Sequence, residues 1–508
     1  MAGYNSIGAY EATSVIPEFK GLMQYGDGIG TDPRYAREVR NVETFGGVLQ
    51  PAAACTLLTP SLDAPIETLA RLYRRWYSGN DDKEILVAAS GGKLYYMLPT
   101  ASAWTQLAYP SGVSSYTSNV WSWVTYEINP EGSDSPVDVL LLSNAKDGMV
   151  MVRGDNFSVE AVETPKKFGV IERYAERIWG GAIPDDPDML MYSAPYDPTD
   201  WDADPDIPED GAGDVQQPSW DGDSFTALRT FGSQLIAFKR MRVWRILGTD
   251  PGEYAFKEQY GGGATYENTI AVDNERILML GRKGVNVYDG LSVSPFQQEM
   301  CQQIWDSINL NYIDKASAVL WQNKYYVAIA TGTSQINNAV VIYNTVDGTW
   351  LYRDDVSVES WLGTETKLYF TSSTTPGRIW EWNEDSWTTG TATTGTTKWA
   401  TPWNDLGAKS IVKGGFEVYL LAEVKSTAVT LNISMQTEKK TKTKTYTVSP
   451  LTSAEITAGK SHKQKRIHFG GSGRRFRIIV ETNKAAPYSS APWRIISGLL
   501  IVSETDPD

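Results

Sequence analysis

Short apolar strands, each introduced by a polar or turn residue, recur through the middle of the chain at a nearly constant interval. The members are Lys93-Leu94-Tyr95-Tyr96, Asp138-Val139-Leu140-Leu141, Asp188-Met189-Leu190-Met191, Gln234-Leu235-Ile236-Ala237, Arg276-Ile277-Leu278-Met279, Lys324-Tyr325-Tyr326-Val327 and Lys367-Leu368-Tyr369-Phe370. Counted from Leu94, Val139, Met189, Leu235, Ile277, Tyr325 and Leu368, the steps are 45, 50, 46, 42, 48 and 43 residues. A fixed period of this length is that of a four-stranded propeller blade. Several members continue as hairpins, such as residues 84–89 and 93–97 around the turn Ser90-Gly91-Gly92, residues 277–280 with 284–290, and residues 325–329 with 340–344. The pattern predicts a mainly β protein with an about seven-bladed β-propeller over residues 81–400.

The flanks read differently. Residues 1–80 show little alternation and many turn residues, which predicts an extended N-terminal segment. Within it, Ile66, Leu69, Leu72 and Tyr73 fall at helical spacing and suggest a short helix over residues 64–77. The competing reading makes residues 70–77 an edge strand running into the first blade. After Trp387 a Thr/Gly tract, residues 388–395, marks a boundary or a blade-tip hairpin. Alternating segments at 415–420, 429–434, 444–448, 474–480 and 493–500 then give about five strands, which suits a C-terminal β-sandwich-like domain over residues 401–508.

Composition agrees with sheets: 18 Trp and 27 Tyr accompany frequent Gly, Thr and Ser. No apolar run is long enough to span a bilayer, and the N-terminus lacks the sections of a secretory signal, so synthesis in a cytoplasm without membrane insertion is expected. Cys55 and Cys301 are too few for a disulfide framework and read as buried small residues. The net charge of -15 is unevenly spread: residues 401–508 hold 16 Lys+Arg against 9 Asp+Glu, or +7, leaving -22 for residues 1–400. An acidic body argues against sequence-independent adhesion to phosphate backbones, while the basic last fifth suits an acidic partner.

No constellation points to catalysis. His462 and His468 are the sole histidines and both lie in the basic part, so no histidine-rich metal centre or histidine triad is available to the propeller. Carboxylates are too numerous to single out a glycosidase pair. Between Arg177 and Arg229 there is no Lys or Arg but 13 Asp or Glu, which predicts a solvated loop between the third and fourth blades, mostly within residues 185–223. Its Asp185, Asp186, Asp188, Asp200, Asp202, Asp204, Asp206, Glu209 and Asp210 are candidates for a channel lining or an interface. Calcium fits poorly: an EF-hand loop counted from Asp202 needs Gly and Glu where Ile207 and Gly213 stand. The glycine clusters 261–263 and 470–473 lack a phosphate loop's lysine and read as turns or bulges. Lys439, Lys440, Lys442 and Lys444 alternate with Thr on one face of a strand or hairpin, as a solvated face or a docking site. Trp179, Trp201, Trp220, Trp321, Trp350, Trp380 and Trp382 either line a sugar site or pack between blades, and packing is the commoner use.

The order of motifs resembles that of a known family. The lead-in Phe19-Lys20-Gly21, Asp32-Pro33, Ala36-Arg37, Asn41-Val42 and Gly46-Gly47 is followed by Arg177-Ile178-Trp179-Gly180-Gly181, Tyr192-Ser193-Ala194-Pro195 and Asp197-Pro198-Thr199-Asp200-Trp201. Next come Phe238-Lys239, Val243-Trp244-Arg245-Ile246, Gly261-Gly262-Gly263, Gly281-Arg282-Lys283-Gly284-Val285 and Tyr288-Asp289-Gly290. This series, over residues 15–300, is similar to the tail nozzle or tail hub proteins of short-tailed bacteriophages, the tail tubular protein B type. The resemblance implies a non-enzymatic virion tail protein, without cofactor or metal, that forms a homo-hexameric ring beneath the portal and adaptor. Double-stranded DNA would pass through it without specific binding, and other tail proteins would be its partners. The alternative is a propeller lectin or glycan-active enzyme.

Overall fold

The computed structural model describes residues 11–26, 31–58, 60–77, 83–130, 135–204, 206–216, 223–259, 266–384, 395–406, 409–410, 412–424, 428–484 and 493–504. Trp220, the glycine cluster 261–263 and most of the Thr/Gly tract lie outside these residues.

Seven four-stranded antiparallel sheets follow one another. Blade 1 comprises Ile66–Tyr73, Glu84–Ser90, Lys93–Met97 and Thr105–Gln106. Blade 2 comprises Ser122–Ile128, Val137–Asn144, Gly148–Arg153 and Val159–Val162; blade 3, Val170–Tyr174, Arg177–Gly181, Met189–Tyr192 and Gly213–Gln216. Blade 4 is Phe225–Phe231, Gln234–Lys239, Val243–Leu247 and Ala255–Gln259; blade 5, Ala271–Val272, Ile277–Gly281, Gly284–Tyr288 and Val293–Pro295. Blade 6 is Ser317–Trp321, Lys324–Ile329, Ala339–Asn344 and Trp350–Arg353. Blade 7 takes three strands from Trp361–Gly363, Leu368–Thr371 and Ile379–Trp382, and its fourth from Cys55–Leu58 near the start of the chain. That strand closes the circle by satisfying the outer edge of the last blade, which would otherwise be left open to pairing.

The apolar runs read from the sequence are second or third strands, and the second strands are buried on both faces. Leu140 and Leu142 pack towards blade 1 while Val139 and Leu141 pack towards blade 3. A strand with two buried faces loses the alternation of a half-exposed one. Trp321, Trp361, Trp380 and Trp382 fill the core between blades 6 and 7, and Trp179 that between blades 3 and 4. Five of the periodic members are second strands, whereas residues 93–96 and 188–191 belong to third strands.

Three expectations need correction. The helix over residues 64–77 is not formed: Ile66–Tyr73 is the first strand of blade 1, paired with Glu84–Ser90. A register shift between Ile66 and Thr68 places Ile66 and Leu69 in the core towards blade 7 and Ala70 and Leu72 in the core towards blade 2, which imitates helical spacing. It lies innermost, at one end of the four-stranded sheet, as the competing edge-strand reading has it over residues 70–73. The acidic stretch is not a single loop between blades 3 and 4, because blade 3 runs on to Gln216 and interrupts it. Finally, the N-terminal segment is not a plain lead-in. Glu11–Ile16 and Glu38–Arg40 are edge strands of the two sheets of the C-terminal domain, and Cys55–Leu58 is part of the propeller.

The C-terminal domain is a sandwich. One sheet is ordered Glu11–Ile16, Arg494–Glu504, Lys413–Glu423, Lys463–Gly473; the other is ordered Glu38–Arg40, Gly395–Ala400, Phe476–Lys484, Val429–Thr437, Thr441–Val448. Their inner faces meet through Phe416, Val418 and Leu420 against Ile433, Met435 and Ile478. The same core continues into blades 5 and 6 through Phe19, Leu22, Val42 and Trp350. The join is tight: the Leu22 N–H donates to the Trp350 carbonyl at 2.7 Å and the Asn41 N–H to the Tyr352 carbonyl at 3.0 Å. A Cβ at Gly21 would stand 2.2 Å from the Trp350 oxygen, so only glycine fits there.

Candidate functional site

Antiparallel order places the turns between strands 1 and 2, and between strands 3 and 4, on one face of the propeller, here the near face. Turns between strands 2 and 3, and the connections between blades, lie on the far face. At the near face the central axis opens into a cavity of about 940 Å³. Alternate residues of the inner strands line it, as the period of a strand requires: Arg71, Tyr73 and Arg75 from blade 1, Trp123 and Thr125 from blade 2, and Arg173 from blade 3. Trp321 and Gln322 of blade 6 and Trp361 and Glu365 of blade 7 complete the wall.

The charges of this wall are paired with one another. Arg75 Nε donates to Asp138 Oδ1 at 2.8 Å and its Nη2 to Glu127 Oε2 at 2.7 Å, while Trp76 Nε1 donates to the same Glu127 oxygen at 3.1 Å. Arg173 bonds Glu176 at 2.6 Å, and Arg71 lies 3.3 Å from Glu84. On the same inner strand as Arg173, burial pushes the Glu172 carboxyl up, against the opposing pull of Arg229 in blade 4.

The predicted acidic residues divide between the two faces. Asp185, Asp186 and Asp188 sit in the strand 2–3 turn of blade 3, on the far face. Two of them serve the fold: Asp186 pairs with Lys166 at 2.6 Å, and Asp188 with the fully buried Lys239 at 2.5 Å. Asp200, Asp202, Asp204, Asp206, Glu209 and Asp210 occupy the strand 3–4 loop, on the near face. Buried Arg177 organises that loop by donating to the carbonyls of Ser193 at 2.8 Å, Gly211 at 2.6 Å and Glu209. Trp201 is buried beneath it against Phe168. The carboxylates of Asp200, Asp202, Asp206, Glu209 and Asp210 belong to exposed residues.

The predicted lysines lie on the outer edge of the sandwich. Thr441–Val448 is the last strand of its sheet, and Lys463–Gly473 ends the other sheet on the same side. The edges that pack towards the propeller, Glu11–Ile16 and Glu38–Arg40, are at the opposite ends of both sheets. Lys439 and Lys440 stand exposed in the hairpin turn, while Lys442 and Lys444 pair with Met435 and Ile433 and so share their inward face. Lys465 enters the same gap with Nζ 5.2 Å from the Tyr446 ring. Among the described residues, none of these five lysines forms an ion pair, whereas Arg466 and His468 share Glu417 and hold its carboxyl below the usual range. The strand carrying Lys465 was not read from the sequence because its residues are polar, charged or Gly except for inward Ile467 and Phe469.

Among the described residues no group of three or more His, Cys, Asp or Glu is placed to hold a metal. Cys55 and Cys301 are both buried, and burial pushes the Cys301 thiol well up. The cavity residues Arg71, Tyr73, Arg75 and Trp123 were not singled out from the sequence. Their signal is the alternation of Arg71, Tyr73 and Arg75 with Ala70, Leu72 and Arg74, legible once the segment is known to be a strand.

No family model matches the chain, and no curated protein does. Several solved structures are similar to it. BBS1N in complex with ARL6DN is 10% identical, with 65% of this chain and 98% of that chain covered and a TM-score of 0.40. The Pan2 WD40 domain of Neurospora crassa is 12% identical, covering 63% of this chain and 89% of that one with a TM-score of 0.33. The β-propeller domain of the Trilobed protease from Pyrococcus furiosus is 10% identical, covering 65% and 95% with a TM-score of 0.33.

Proposed function

We propose that the protein is a structural component of a bacteriophage tail, a nozzle or hub whose copies join side by side into a ring around a channel for genome exit. The observation that carries the reading is the separation of charge. The unpaired lysines lie on the sandwich edge turned away from the acidic propeller of the same chain, and the acidic strand 3–4 loop of blade 3 is exposed elsewhere. Opposite charges that do not meet within one copy are suited to meet between copies, and such a contact between unlike surfaces closes into a ring when its rotation permits.

The motifs that resemble the nozzle family support this reading as a unit. Arg177 of the Arg-Ile-Trp-Gly-Gly stretch binds the loop built by the Tyr-Ser-Ala-Pro and Asp-Pro-Thr-Asp-Trp stretches, which ties three separate phrases to one surface.

The channel of such a ring would run between copies and not along the propeller axis. Spread over the ~34 Å of one duplex turn, a 940 Å³ cavity leaves a bore roughly 6 Å across, far too narrow for duplex DNA. An acidic wall would repel phosphates within the ~8–10 Å that salt leaves unscreened. The test is the mass of the purified protein with and without the other virion tail proteins. The expected result is a closed ring, near six copies, that is lost when Lys439, Lys440, Lys442 and Lys444 are all changed to Glu. A ring that survives this reversal would overturn the docking role of that edge.

A further inference from the structure

We propose that the near-face mouth of the axial cavity binds a neutral oligosaccharide. The inference is independent of assembly and concerns the blade 1 side of that face, not the acidic loop of blade 3. Among the described residues Trp76 is the one exposed tryptophan, at 58%, while every other described tryptophan is buried or half-buried. Tyr73 and Tyr77 flank it in sequence at 37% and 40% exposure, giving three exposed aromatic rings within five residues, of which Tyr73, with the adjacent Arg75, lines the 940 Å³ cavity. Cavities of ~300–1,000 Å³ suit small ligands, and a sugar ring presents a face of C–H groups that packs on an exposed aromatic plane.

The polar groups beside the rings match hydroxyls better than charges. Arg75 is more than offset by Asp138 and Glu127, so it leaves no surplus positive charge to attract an anion. It does hold fixed donors and acceptors: of the five N–H bonds of its guanidinium, Arg75 spends two on these carboxylates. The platform is also held in place before any ligand arrives. The Arg74 guanidinium stacks 3.5 Å from the Tyr77 ring centre and 5.2 Å from that of Phe157, and Phe157 stacks on Tyr96. Rigid aromatic rings beside prealigned polar groups lower the ordering cost of binding.

The probes are neutral di- to tetrasaccharides of glucose, galactose, mannose and N-acetylglucosamine, added to the full chain and followed by tryptophan fluorescence and saturation-transfer NMR. The expected result is saturable binding of at least one sugar, insensitive to salt and weakened at least tenfold by Trp76→Ala. Met241→Ala, an exposed apolar side chain on the far face, should leave it unchanged. Failure of the whole panel overturns the proposal, as does binding that Trp76→Ala leaves intact. Preference for acidic sugars abolished by salt overturns the neutral class.

Discussion

Arg353 and Asp355 form a fully buried ion pair, with Nε–Oδ1 at 2.9 Å and Nη2–Oδ2 at 3.1 Å, where the outer strand of blade 6 ends. Burial works against the guanidinium charge, and the groups around it, the Asp355 carboxylate foremost, together more than offset it. Asp355→Asn should therefore destabilise the fold by about 3–5 kcal/mol, because it leaves a buried charge without its counterion; urea denaturation reads this directly, and a loss below about 1 kcal/mol would refute the assignment. Glu43, nearby beside Lys324 and Glu384, has its carboxyl raised by burial despite Arg353 and Lys324. The native state then holds this proton more tightly than the unfolded chain, whose value is ~4.3. Stability from this group is present below that value and declines as pH rises through the raised one. Glu43→Gln should flatten the decline and melt above the parent at neutral pH. Single residues of this kind were illegible in the sequence, since neither Arg353 nor Glu43 is distinguished by its neighbours. The packing role of the tryptophans was legible, because a propeller needs large side chains between its blades.

At the scale of elements, the period of the strands revealed the blades, but the use of the N-terminal segment was hidden. The strands Glu11–Ile16, Glu38–Arg40 and Cys55–Leu58 acquire their meaning from partners more than 300 residues away in sequence. No local pattern reports such a partner. The consequence is that propeller and sandwich are not separable at residue 400. Deleting residues 401–508 should expose Phe19, Leu22 and Trp350 from the shared core and yield an aggregating product, seen by light scattering. A truncated chain that stayed monomeric and folded would show that the shared core is dispensable. Likewise Leu57→Pro removes a backbone donor from the closing strand opposite Trp380 and should lower the melting temperature. An unchanged melting curve would mean that closure of blade 7 contributes little. The sandwich edge was half legible: alternating lysines marked one strand, whereas its companion with Lys465 carried too few apolar residues to be recognised.

On the scale of the whole molecule, charge is sorted in space as the sequence foreshadowed, with the basic edge of the sandwich pointing away from the acidic propeller. What the sequence concealed is that the acidic stretch serves two faces, with Asp186 and Asp188 holding blade 3 to its surroundings and the loop from Asp200 to Asp210 facing outward. Assembly between copies is the central claim. It is tested most directly by the mass and image of the full chain at micromolar concentration, alone and with the tail proteins that the proposed role would make its partners. The account predicts a closed ring that the fourfold lysine reversal prevents while the monomer keeps its fold. A persistent monomer under both conditions would contradict it.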